Sequence, residues 1–169
     1  MAGLPPGAGA EGVKAGDLVL YQAWARASAG RSTTGAVYIS IHNHGSAQRL
    51  LSAETPAADQ AKLHTHLMKD GVLRMRHLEN IEVQEKAMTE LKPGGFHLML
   101  MRLKAPLREG ETFPLTLVFD KAGPAAVTVK VMKVGSMGPK GPHHGTGSGI
   151  HNHDEKHEHG TGLHHKHRK

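Results

Sequence analysis

Between Gly16 and Val134 the apolar residues of this chain come in short runs, and nearly every run stops at a turn signal. That punctuation excludes more folds than any other feature of the sequence. An amphipathic helix needs apolar residues at i, i+3, i+4 and i+7 over a long window, and no long segment shows that period. What the segment does contain is strand-length runs: Asp17–Ala27, Gly35–Asn43, Gln48–Glu54, Ala61–Met68, Val72–Leu78, Ile81–Gln84, Phe96–Leu103, Thr112–Phe119 and Ala125–Val134. SAGRSTTG, HGS, TPAAD, KDG, KPGG and DKAGP interrupt them. Seven to nine short strands with Gly, Pro and Asp turns predict an all-β chain, an antiparallel sandwich or barrel with little helix.

The flanks read differently. Residues 1–15 are Gly, Ala and Pro without apolar periodicity, which reads as a flexible lead-in to a domain spanning 16–134. Residues 135–169 hold Ile150, Leu163 and Met137 as their only large apolar side chains. Such a segment cannot bury enough surface to offset its chain entropy, so a disordered tail is expected there. No window approaches the length of a transmembrane span. No stretch has the charged start, apolar run and cleavage site of a signal peptide. If the protein is exported, its signal has been removed.

The chemistry lies in the histidines and methionines. The chain has 15 His, 8 Met and no Cys, so disulfides, thiolate metal sites and thiol catalysis are excluded. Imidazole and thioether together suit Cu(I). On a strand, alternate side chains share a face. His97, Met99 and Met101 therefore share one face of the FHLMLMRL strand, with Phe96, Leu98 and Leu100 opposite. Likewise His64, His66 and Met68 oppose Leu63 and Leu67, and Met75 and His77 oppose Val72, Arg74 and Arg76. KDG is a hairpin signal between the last two strands and would bring His64 or His66 within reach of Met75. The sequence leaves open whether the His97 strand neighbours this hairpin. Singly, each Met reads as core filler and each His as a surface group.

His64 and Met75 are separated by ten residues, Met75 and His97 by twenty-one, and His97 and Met99 by one. This spacing resembles the H-x10-M-x21-H-x-M signature of the PCu(A)C periplasmic copper chaperones. AWAR at Ala23–Arg26, GAVYISIHNHG at Gly35–Gly45 and ELKPGGFHLMLM at Glu90–Met101 resemble the same family. The resemblance implies a cupredoxin-like antiparallel β-sandwich and a Cu(I) site with His64, Met75, His97 and Met99 as ligands. It also implies delivery toward the CuA centre of cytochrome c oxidase, alongside Sco-type proteins. His66 is a further candidate: a spare ligand, a group behind the ligands, or part of a Cu(II) arrangement. Met68, His77 and Met101 share the phase but not the signature, and read as packing or rim.

The tail carries nine histidines: His143, His144, His151, His153, His157, His159, His164, His165 and His167. With so little Met among them, they tilt toward Cu(II) capture. The formal charge is +6, shared as +4 over 1–134 and +2 over 135–169. Neither part has a basic block interleaved with aromatics, so nucleic acid is not expected as a partner. No carboxylate pair, nucleophile–base set or phosphate loop is present to suggest an enzyme. The sequence thus predicts a periplasmic copper chaperone, monomeric unless tail-bound metal bridges molecules. A copper-buffering or resistance protein without a dedicated recipient is the alternative.

Overall fold

A computed structural model describes residues 12–139. These hold eleven strands: β1 (Val13–Ala15), β2 (Leu18–Arg26), β3 (Thr34–Asn43), β4 (Gln48–Glu54), β5 (Ala58–Lys69), β6 (Val72–Leu78), β7 (Ile81–Val83), β8 (Met88–Leu91), β9 (His97–Leu103), β10 (Thr112–Phe119) and β11 (Gly123–Met132). Pairing runs β2-β11-β10-β4-β5-β9-β3 and returns to β2, so the sandwich closes into a flattened barrel. β1, β6, β7 and β8 attach to β2, β5, β4 and β3 respectively. Every pairing is antiparallel except the three-residue β11–β2 seam, from Lys130↔Trp24 to Met132↔Arg26. Among the described residues no helix is long and apolar enough to cross a membrane.

Period-2 alternation builds the core. Phe113, Leu115, Leu117 and Phe119 of β10 face inward, as do Ala125, Val127, Val129 and Val131 of β11, while intervening residues are exposed or half-buried. Leu18 and Leu20, Ile39 and Ile41, and Leu98 and Leu100 do the same on β2, β3 and β9. Sides thus chosen set which residues face outward, and these form the site.

Three expectations need correcting. Val13–Ala15, assigned to a flexible lead-in, is a strand paired with Leu18–Leu20. Residues 135–139, assigned to the tail, pack on the domain: Ser136 is buried and its carbonyl accepts a hydrogen bond from Arg26 Nε at 2.7 Å. Gly138, at φ 128°, passes the Trp24 indole so closely that a Cβ would stand 3.3 Å from it. Phe96 lies outside β9 and is exposed rather than anchoring it. The tail histidines from His143 to His167 lie outside the described residues.

Candidate metal centre

The β5–β6 hairpin turns through Asp70 (φ 52°) and Gly71 (φ 74°), with Lys69 paired to Val72. Two positive-φ residues make the tight primed turn that matches strand twist, and a two-residue turn fixes the register. His64 then faces His77, and His66 faces Met75. On the other side of β5, His64 faces His97 and Lys62 faces Met99. Direct antiparallel partners share a face. One outer surface of β9, β5 and β6 therefore carries three rows: Met99 and Lys62, then His97, His64 and His77, then His66 and Met75.

The imidazoles gather tightly. His66 and His97 stack with ring centroids 4.9 Å apart and planes 27° apart. His64 meets His97 edge-on at 5.8 Å and His77 at 5.6 Å. Met75 and Met99 flank this cluster from opposite rows, and their flexible thioethers must lean inward to share an ion with it. Met75 is 48% exposed, His64 and His66 are half-buried, and His97 is only 2% exposed.

The central row continues inward. Ala36 and Val37 pair with Met99 and Leu98, so Tyr38 follows beside His97, with ring centroids 6.5 Å apart. Trp24 pairs with Tyr38 at a centroid distance of 4.6 Å. A bulge at Gln22, at φ 54°, makes this row: the register slips between Tyr21 and Trp24, so Ala25 enters the core and Trp24 turns outward. Arg26 lies 5.9 Å over the Tyr38 ring. Tyr38, backed by Trp24, forms a buried wall beside His97.

Burial and neighbouring charge disfavour the protonated forms of His64 and His97. Burial lowers the pKa of His64, and His97, His77, Lys62 and His66 push it the same way. Burial also lowers His97, helped by His66 and opposed by its bond to the Gly95 carbonyl. His97 Nδ1 stands 3.0 Å from Gly95 O. A carbonyl only accepts, so Nδ1 carries the proton and Nε2 keeps a bare lone pair. That Nε2 is buried without a hydrogen-bond partner, as are Nδ1 of His64 and Nδ1 of His66. Buried polar atoms are normally satisfied, so three orphans on neighbouring rings require an explanation. Lone pairs waiting for a metal ion provide one.

The rows contain no carboxylate, and among the described residues no three His, Asp or Glu side chains are arranged to hold an ion by themselves. The flanking rows add the thioether sulfurs of Met75 and Met99 as the other donor type. A site of neutral nitrogen and sulfur donors suits a soft monovalent ion better than a hard divalent one. Sequence phase had placed His64, His66, Met75, His97 and Met99 on this face. His77, which reads as packing or rim from its phase alone, lies edge-on against His64. The Tyr38–Trp24 wall had no local signal.

The LpqE-like family model, described as "Putative lipoprotein LpqE-like", matches residues 18–131. A relative from Leifsonia xyli subsp. xyli, "Putative lipoprotein Lxx21020", is 33% identical over 131 residues, covering 75% of this chain and 78% of its own. The apo PCuAC domain from PmoF1 superposes with TM-score 0.63 at 24% identity, over 72% of this chain and 98% of that one. The solution structure of CuI-DR1885 from Deinococcus radiodurans gives TM-score 0.57 at 27% identity, over 74% and 83%. The chain belongs to the LpqE-like family, and its fold is that of the PCuAC domains.

Proposed function

We propose that this chain is an extracytoplasmic copper chaperone, a carrier rather than an enzyme, whose cargo Cu(I) is held by His64, Met75, His97 and Met99. The observation that carries this reading is the buried, unpartnered Nε2 of His97, aimed by the Nδ1–H bond to Gly95 O and set among the orphaned nitrogens of His64 and His66. The Cu(I) named for the DR1885 relative supports the choice of ion. Two thioethers and two neutral imidazoles favour Cu(I) over Cu(II). His66, stacked on His97 and paired with Met75, is placed to take over a bond as the ion arrives or leaves.

Release follows from position. Among the described residues β6 pairs only with β5, and it is exposed along nearly its whole length, so the Met75 side of the site opens to solvent. A recipient's ligand can approach from there while His97 still holds the ion against the buried side. We assign the recipient as a CuA-type centre of cytochrome c oxidase, with Sco-type proteins alongside. We assign the tail histidines to Cu(II) capture.

Anaerobic Cu(I) competition with a chelator, followed by mixing with an apo CuA domain, tests the reading. One ion bound per folded site and stoichiometric transfer are expected. Retained binding without transfer identifies a copper buffer instead. Undiminished transfer by a His97→Ala, Met99→Ala double variant overturns the ligand assignment. For the tail, unchanged Cu(II) stoichiometry after truncation at 139 overturns the capture role.

A further inference from the structure

A second group of imidazoles and a thioether lies on the outer face of the domain, away from the rows already described. His42 of β3 is the direct antiparallel partner of Met88 of β8. His44 follows two residues later, and its ring lies 4.1 Å from that of His42, with planes 39° apart. The Tyr21 hydroxyl donates to Met88 Sδ at 3.2 Å, reaching past the small Ser40 to which Tyr21 is paired. One sulfur lone pair is used in that bond and one remains.

The backbone under this group is locked. Asn43, fully buried between the two histidines, donates its side-chain amide to Ser46 O at 2.9 Å and to Gln84 O at 3.1 Å. Its Oδ1 accepts from Gly45 N at 3.0 Å. Its own N–H donates to Ala87 O, and His44 N–H donates to Asp17 O, each at 2.9 Å. These bonds tie the His42–His44 strand end to the stretch just before Met88 and to the entry of β2. Three soft or borderline donors therefore stand together on a rigid frame, with little ordering left to do on binding.

We propose that His42, His44 and Met88 form a second, surface-exposed site for a soft monovalent ion of the Cu(I) class. Two imidazoles and one thioether are all neutral donors, a set that favours such an ion over a hard divalent one. The site lies about 13 Å along β3 from Tyr38, four residues of strand, on the same face of the sheet. Met88 is 48% exposed and His44 is exposed, so exchange at this site is open.

Ag(I), a redox-inert ion of the same class, is the probe, and the ε-methyl resonances of the methionines in the full chain are the readout. Excess Ag(I) is expected to shift the Met88 methyl. In a His42→Ala, His44→Ala variant that response should weaken by roughly tenfold or more. Met75 and Met99 methyls should respond alike in both proteins, because neither substituted side chain touches them. A Met88 methyl that stays put in excess Ag(I) overturns the proposal. So does a Met88 response undiminished in the double variant, which would mean a thioether acting alone. Amide spectra that superimpose outside residues 40–46 and 86–90 establish that the variant is folded. Because each methyl is read separately, failure at Met88 is distinguishable from failure at Met75 and Met99.

Discussion

If His97 is retained for metal rather than for the fold, removing its imidazole should leave the metal-free domain no weaker. His97→Leu tests this. Leu is a similar volume and packs at a position only 2% exposed, beside Tyr38. Two terms compete. Losing the Nδ1–H bond to Gly95 O costs about 0.5–1.5 kcal/mol, toward the lower end because Gly95 is half-buried and its carbonyl can turn to water. Removing the orphaned Nε2 relieves a desolvation penalty of about 1–3 kcal/mol. The net is a gain of about 1 kcal/mol, or about 3 °C in Tm for a domain of this size. Thermal unfolding in a strong chelator reads that term. With Cu(I) added at a hundredfold excess over Kd, the native protein should gain about 2.7 kcal/mol more. His97→Leu should gain far less from the folded site. A metal-free variant weakened by more than about 2 kcal/mol would refute the reasoning, since the imidazole would then be a satisfied structural group. A variant with its copper-induced rise intact would refute the assignment of His97.

Other outcomes follow from the same geometry. Burial lowers the pKa of His64 and His97, so the unfolded chain takes up protons first as the pH drops. Metal-free stability should be complete above the ordinary histidine value of 6.5 and decline as pH falls through the lowered values. Denaturant titrations at neutral and mildly acidic pH read that slope, and an unchanging midpoint would contradict it. Met75→Leu, at an exposed position of β6, should alter stability by less than about 0.5 kcal/mol. It should still weaken Cu(I) binding by roughly tenfold or more in chelator competition. Asn43→Ala deletes three hydrogen bonds in a fully buried place and should cost about 2–3 kcal/mol. Asn43→Asp should cost more still, because a carboxylate would face the carbonyls of Ser46 and Gln84. Equal melting temperatures for the two Asn43 variants would argue against that placement.

Much of the site could be read before folding, for a local reason. Strand alternation is period 2 and KDG signals a hairpin, so bringing His64 or His66 to Met75 follows from fourteen consecutive residues, and the two-residue turn at Asp70 and Gly71 then sets His66 opposite Met75 and His64 opposite His77. The weaker strands were harder. β1 is three residues in a Gly- and Ala-rich stretch, and β8 offers only Met88 and Leu91 as apolar positions, so neither stands out from its surroundings. Trp24 was obscured in another way. Unbroken alternation from Leu18 and Leu20 would send it into the core, and only the left-handed backbone at Gln22 reverses its side.

The sequence by itself determined the all-β class, the hairpin and the face on which His64, His66, Met75, His77, His97 and Met99 sit, because those depend on turn chemistry and a two-residue period. Tertiary structure decided which strands meet. β9 comes to β5 across more than thirty residues of chain, bringing His97 opposite His64. β3 lies on the far side of β9, adding Tyr38, which Trp24 of β2 backs, as a buried wall. β8 returns to the end of β3, bringing Met88 to His42. Those are long-range pairings selected by burial of the whole core, and no local pattern in the chain encodes them.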